Sequence, residues 1–450
     1  MSFIFSPGSR ATLVRGSFAG LLARVAAILS GLVSAVVLAR ILEPAGYGIY
    51  SYAYAIVGII MIPVQMGLPT LILRETARAN ALEDWALLRG LWRWSGYIIF
   101  SGAVLAVSGV IVWQIVNEKS IAPEQRNTLL WGLPLIPLMA LSAARASALS
   151  GLRLPVRSHL TDQVLRPVVL SSLLLVAYGV GFEVSSTQAM MLHSVAAMLA
   201  FAAGAVLLTQ ARPVPMRVPG PLRMKRREWA IALLPLSALA AVQIVNQSAD
   251  LIMLGIFRAD MEVGIYRIAV SSATLAAIGL TAMGLVLAGD IAHALAEKDS
   301  VTLQRMLSTA ALICTALTGM VLAGFALVGE HMLGLIFGLD YIGAYPALII
   351  LTLGQLVNGF FGVNANVLNM AGLERRTLTA FSISVGINII LNIALIPRFG
   401  GIGAATATLA STAIWNVLCW FFVKSQLGLD STFISGVPTF LRHLQIGKGR

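Results

Sequence analysis

Charge is what this chain of 450 residues has least of: Asp, Glu, Lys and Arg together make 11% of it, against roughly a quarter in an average soluble domain. A water-facing surface cannot be built from so few charges, so a soluble multidomain enzyme is excluded. Cysteine is almost missing too. Cys314 and Cys419 both lie in apolar stretches, and they make neither a metal spacing nor a disulfide framework. No His/Cys/Asp cluster has ligand spacing, so no metal is expected. There is no Walker loop, hence no ATP hydrolysis by this chain. Gly400-Gly401-Ile402-Gly403 misses the dinucleotide pattern and lacks its βαβ setting. The stretch from Met1 to Ser17 is polar and basic, and the span after it is interrupted by Arg24. That does not look like a cleaved signal peptide.

What the chain does have is apolar length. It is 58% hydrophobic, with a mean hydropathy of +0.87. Its 41 Gly and 17 Pro are spread along apolar stretches, as membrane helices tolerate. Crossing the hydrocarbon as a helix takes roughly 20 mainly apolar residues. By that ruler about twelve spans lie near 18–39, 47–70, 91–116, 128–150, 164–182, 187–210, 229–256, 264–288, 306–328, 345–370, 377–396 and 402–423. With the N-terminus in the cytoplasm, the inner segments hold 22 basic residues, Arg166 among them, and the outer loops hold 5, Arg40, Lys119, Arg126, Arg258 and Arg398. The split puts both termini inside. Basic loops facing anionic headgroups account for most of the net charge of +12 without nucleic acid as a partner. The longest outer loops, near 117–127 and 329–344, are too short to hold an active site.

The longest basic linker, Arg212 to Glu228, carries four prolines and lies near the midpoint. It reads as a hinge between two halves. An internal repeat supports the division: Gly48-Ile49-Tyr50-Ser51-Tyr52-Ala53 matches Gly264-Ile265-Tyr266-Arg267-Ile268-Ala269 at an offset of 216 residues. That offset covers an even number of spans, so the repeats run parallel, an arrangement used by transporters with a substrate path between lobes. The expected fold is an all-α polytopic membrane protein of about twelve helices in two parallel-repeat six-helix lobes. Its parts are an N-lobe over 1–210, a cytoplasmic linker over 211–228, a C-lobe over 229–424 and a cytoplasmic tail over 425–450.

Few residues inside the spans can carry chemistry. Arg24 lies on a stripe of small and polar residues, Ser17, Gly20, Ala27, Gly31 and Ser34. Such a stripe faces a cavity or another helix rather than lipid. A guanidinium suits bidentate binding of phosphate; the alternative is an arginine that snorkels back to the headgroups. Asp250 is the one carboxylate deep in a span, sharing a face with Gln243, Asn246 and Gln247. It reads as a site for a coupling H+ or Na+, as a partner for Arg267, or as a simple interhelical hydrogen bond. Gln355, Asn358, Gly362, Asn366 and Asn369 form an amide stripe on span ten, and Ser384, Asn388 and Asn392 another on span eleven. Both suit sugar hydroxyls in a cavity and equally suit helix packing. Tyr50 and Tyr54, with Gln65, are compatible with sugar stacking, though such aromatics are more often interfacial anchors; Arg145 reads as a snorkelling arginine and His193 as a lone intramembrane histidine.

Several stretches resemble the polysaccharide and O-antigen flippases of the multidrug/oligosaccharidyl-lipid/polysaccharide exporter superfamily. Leu38–Ile56 and Gly67–Arg78 look like that family's opening two helices, Asp250–Ala269 like its junction of helices seven and eight, and Leu391–Ser411 like its late helix pair. The resemblance implies a transporter, not an enzyme. It implies export of a polyprenyl-pyrophosphate-linked oligosaccharide across the bacterial inner membrane by alternating access. Its expected partners are the lipid-linked oligosaccharide, membrane lipids and polysaccharide assembly machinery, with no cofactor beyond a coupling ion. Arg24 corresponds in place to the cavity arginines of related lipid flippases. A drug exporter of the same superfamily is the alternative, which Arg24 disfavours. A glycan polymerase or ligase would need a longer outer loop.

The orientation is directly testable. In intact cells a Ser120→Cys variant is expected to label with an impermeant thiol reagent, and Ser300→Cys only after permeabilisation. Labelling at 300 in intact cells overturns it.

Overall fold

In hydrocarbon every backbone polar group must be satisfied within the protein, which leaves helices as the solution for an apolar chain. The computed structural model describes residues 7–435, and among them there are helices and no strand. In order these are α1 (Pro7–Gln65), α2 (Leu68–Ala81), α3 (Trp85–Val116), α4 (Pro123–Gly132), α5 (Leu135–Gly151), α6 (Pro155–His159), α7 (Arg166–Gly179) and α8 (Ser186–Ala211). The second half adds α9 (Arg226–Phe257), α10 (Asp260–Ala273), α11 (Ile278–Ala296), α12 (Ser300–Ile336), α13 (Tyr345–Phe361), α14 (Asn364–Met370) and α15 (Glu374–Leu427). The tail cations Arg442, Lys448 and Arg450 lie outside the described residues.

Ten of the helical segments among the described residues are long and apolar enough to cross a membrane. Two of the ten are broken in the middle. α1 leaves helical geometry at Glu43 (φ 56, ψ 173), just before Pro44, where the proline ring disfavours the α conformation of the residue preceding it. α15 breaks at Gly400 (φ 55, ψ −131), three residues after Pro397. Each limb is long enough to cross, so the passes number twelve, as expected. Leu105, Leu234, Leu327 and Leu335 are exposed on these helices, an outer surface that suits lipid and not water.

Three expected boundaries move. α12 continues to Ile336, so the first half of the loop expected over 329–344 is helix, followed by the 3-10 turn Leu339–Ala344. Span ten is interrupted where Gly362 takes a positive φ of 65°, which separates α13 from α14 and breaks the amide stripe into two pieces. The fifth span opens earlier than 164, through a π-helical turn over Leu160–Leu165.

The chain forms two compact units, one made of Phe18–Gly255 with Ala259–Gly264, the other mainly of the residues from Ile265 onward with Ile256–Arg258. The first buries Trp229 of α9 and, on α2, α3 and α5, Leu68, Leu71, Ile72, Leu88, Leu91, Leu135 and Ile136. The core of the second gathers Ile291, Leu303, Leu307, Val367, Leu368, Cys419 and Val423. Within the first unit the Pro-rich segment after Arg212 is tied along α3. Arg223 pairs with Asp84 and donates its backbone N–H to the Ala86 carbonyl at 3.0 Å. Arg89 donates to the Pro215 and Pro221 carbonyls at 3.0 and 3.2 Å.

The repeat glycines meet. A Cβ on Gly48 would fall on the carbonyl oxygen of Asp260, and a Cβ on Gly264 would fall on that of Pro44. Under the 216-residue offset Pro44 corresponds to Asp260 and Gly48 to Gly264, so the two contacts are the same contact seen from either repeat. The two short segments therefore meet through equivalent atoms, as in an isologous contact. Gly48→Ala and Gly264→Ala are each expected to destabilise the purified protein by about 1–3 kcal/mol or more. Gly46→Ala, whose Cβ would meet nothing closer than its own helix's Leu42 at 3.4 Å, is the control. Thermal unfolding in detergent measures all three, and equal melting temperatures would remove the contact's structural weight.

Candidate functional site

The second limb of α1 carries Tyr47, Tyr50 and Tyr54 at spacings of three and four residues, which places them on one helix face. Their rings stack, with centroids 6.3 Å apart for Tyr47 and Tyr50 and 6.4 Å for Tyr50 and Tyr54. On α8, the buried His193 meets this face. Its Nδ1 shares a 2.6 Å hydrogen bond with the Tyr50 hydroxyl, and its ring lies 5.2 Å from that of Tyr54. The tyrosines are thus inside the bundle, not at an interface, and the histidine is partnered.

The π turn brings charge to the same place. Arg166 follows it directly, within the candidate span Leu160–Gly179, as the expected span 164–182 also has it, although the charge count groups it with the inner cations. Its guanidinium has Tyr54, Asp162 and Tyr50 in its electrostatic surroundings. The residue is part-exposed, yet its Nη1 is enclosed and has no hydrogen-bond partner among the described residues. Buried donors of this kind are rare in folded proteins and call for a water or ligand. Asp162, on the π turn, also faces Arg145, whose Nη2 lies 3.8 Å from its Oδ2.

Arg145 does not snorkel. It is buried, donating from Nη1 to the Phe201 carbonyl at 2.5 Å and from Nη2 to Ser142 and Thr161 at 3.2 and 3.4 Å. Gly204 makes the slot: any side chain there would collide with the guanidinium. Two arginines and one carboxylate leave this intramembrane cluster with a positive charge over. An intramembrane cation is costly and is retained where it does something; here the surplus charge, a free donor and two tyrosine hydroxyls suit an anion.

The α1 stripe that carries Arg24 runs toward the same cluster. Ser30 donates to the Gln163 carbonyl at 2.9 Å and Ser34 to that of Pro167 at 2.7 Å, so the stripe packs on the start of α7. Lower down it opens, with nothing within 4 Å of where Cβ atoms on Gly20 and Gly31 would be, and Arg24 is exposed. Asp250 is part-buried on α9 and is engaged by a partner.

In the second unit the amides are drawn together by mutual bonding. Asn358 donates to Gln355 at 3.0 Å and accepts from Asn416 at 2.6 Å and Trp415 at 3.3 Å. Asn388 is buried, donates to Ser411 at 3.3 Å and accepts from Asn392 at 3.0 Å. Asn366, beyond the break at Gly362, lies against Gly284. These bonds join α13 and α15, as interhelical amides do. Gln355, Asn358 and Asn366 remain part-exposed.

Because Asp162 serves two guanidinium groups, Asp162→Asn is expected to destabilise the protein, and the double change with Arg145→Gln to cost less than the sum. A coupling of roughly 0.5–3 kcal/mol is expected, read from thermal unfolding in detergent. Strict additivity would mean that the pair carries no interaction.

Residues 13–288 match the polysaccharide biosynthesis protein family. Among individual proteins, the chain is similar to the Probable low-salt glycan biosynthesis flippase Agl15 of Haloferax volcanii, 27% identical over 183 residues, which are 40% of this chain and 38% of that one. It is also similar to the Probable flippase AglR of the same organism, 34% identical over 173 residues, 38% of this chain and 36% of the relative. The chain therefore spans well under half the length of these relatives. In fold it is similar to the lipid II flippase MurJ in an inward closed conformation, with a TM-score of 0.71 at 14% identity, over 90% of this chain and 87% of that one. An inward-facing multidrug resistance MATE family transporter of the MOP superfamily superposes with a TM-score of 0.69 at 13% identity, over 89% and 94%. With the family match covering more than half of its length, the chain belongs to the polysaccharide biosynthesis protein family.

Proposed function

We propose that this protein is a flippase that carries a polyprenyl-pyrophosphate-linked oligosaccharide across the bacterial inner membrane by alternating access, for polysaccharide, O-antigen or exopolysaccharide export. Both termini are then cytoplasmic. The observation that carries this is Arg166: an intramembrane guanidinium with an unused donor, in a cluster of net positive charge. Family membership and the flippases among its relatives agree with it. The head of such a lipid cannot cross hydrocarbon unaided, because each unsatisfied polar group costs several kcal/mol there. A phosphate that binds Arg166 exchanges its water for fixed donors and supplies the charge that Asp162 alone does not balance.

Arg24 is the second ligand in this reading. It lies on the same helix as Ser30, six residues away or about 9 Å along the axis, and meets the pyrophosphate ahead of Arg166. Gln355, Asn358 and Asn366 supply amides for sugar hydroxyls; Asn388, already bonded on both sides, holds α15 in place. Asp250 is assigned the coupling ion, H+ or Na+.

Unexported lipid-linked glycan, measured in cells at matched protein levels, tests these roles. Arg166→Ala and Arg24→Ala are each expected to slow export about tenfold or more, since a charge-assisted hydrogen bond is worth roughly 1.5–3 kcal/mol. The Lys variants, which keep charge and lose the planar fork, should retain part of it. Asp250→Asn should abolish the response to imposed proton or sodium gradients. Normal export by Arg166→Ala would end the phosphate assignment, and an unchanged gradient response in Asp250→Asn would end the coupling one.

A further inference from the structure

The first unit contains a cavity that the proposed transport does not use. It has a volume of about 250 Å³ and is walled in part by Trp92, Phe201, Ala205 and Thr209, with Arg145 and Arg212 among its lining residues. Arg212 follows directly on Ala211, the last residue of α8, and Trp92 lies two turns into α3. The cavity is thus at the helix ends that carry the basic segments, the cytoplasmic side by the positive-inside rule.

The two arginines differ. Arg145 is committed to protein oxygens through both terminal nitrogens. Arg212 lies over the Trp92 ring at 6.0 Å, is part-exposed, and makes no side-chain hydrogen bond among the described residues. One guanidinium with free donors, resting on an aromatic shelf beside an apolar cavity, fits an anion joined to a hydrocarbon chain. The volume is below the roughly 300–1,000 Å³ of sites for drug-sized ligands, so an oligosaccharide does not fit. A single available guanidinium matches a phosphodiester better than a pyrophosphate. Basic pockets between helices on this side of a membrane take lipid headgroups.

We propose that this cavity binds one anionic glycerophospholipid of the cytoplasmic leaflet, its phosphate on Arg212 and the first methylenes of an acyl chain beside Trp92 and Phe201. The lipid assigned to this cavity is distinct from the transported one, although Arg145 borders both sites, and its test reads no transport.

The test uses the full chain in detergent, with phosphatidylglycerol, phosphatidylcholine of the same chains, and polyprenyl phosphate as probes, and bound lipid measured by native mass spectrometry. One phosphatidylglycerol is expected to bind in preference to phosphatidylcholine. Arg212→Gln should weaken it about tenfold, and Ala205→Phe, which fills the cavity and leaves Arg212 in place, should remove it. Should Ala205→Phe fail to fold, Arg212→Gln, a change at a helix end, still decides the matter. Unchanged affinity in Arg212→Gln, equal binding of phosphatidylcholine, or displacement of phosphatidylglycerol by an equimolar amount of polyprenyl phosphate would overturn the proposal.

Discussion

A carboxylate that faces two guanidinium groups organises the first unit. Asp162 lies 3.8 Å from Arg145 and beside Arg166, in surroundings where an unpaired charge would cost several kcal/mol. The local structure follows from bringing these groups together. The π turn over Leu160–Leu165 displaces the backbone so that Thr161 and Asp162 reach Arg145, a use to which such turns are often put. Gly204 on α8 leaves the slot for Arg145, and the tyrosine face of α1 closes over Arg166 with His193. The elements that supply these groups are far apart in the chain, so the cluster ties α1, α5, the π turn and α8 into one body. Its charges do not cancel, and that remainder distinguishes it from a purely structural ion pair.

The second unit handles polarity by another route. Many of its intramembrane polar groups are amides and hydroxyls bonded to one another, as in the chain of Asn392, Asn388 and Ser411. Neutral groups of this sort hold helices together in lipid without leaving charge over. Tyr266, the repeat equivalent of Tyr50, packs beside Gly401 and not against a histidine. The two repeats share a backbone plan and have parted in their chemistry.

The spans were legible in the sequence because hydrocarbon imposes a length on them. Even the pairs that run together as α1 and α15 could be divided, since Pro44 and Pro397 stand close to the breaks. The cluster was not legible, for a reason of distance: Tyr50 and His193 are 143 residues apart, and nothing local in either helix announces the other. The tyrosine spacing of three and four was there to be seen, but aromatics at that spacing also mark interfaces. Arg166 falls inside the expected span 164–182 but is counted there with the inner cations, because it stands near that span's start and a π turn leaves no mark in hydropathy. The amide stripe failed differently. Its period assumed an unbroken helix, and Gly362 ends α13 in mid-stripe.

The meeting of Gly48 with Asp260 and of Gly264 with Pro44 has a bearing on ancestry. A contact that is its own equivalent when the two segments are exchanged requires only one sequence to make it. A chain of half this length, carrying a single copy of the motif, would have met the same geometry in a second molecule of itself, as a homodimer. Joining the copies end to end replaces an association that depends on concentration by one at a fixed effective concentration. Once the copies are joined, each is free to change wherever it does not touch the other. Divergence of the two polar interiors, with the glycine contact kept at a place that admits no side chain, is the pattern such a history leaves.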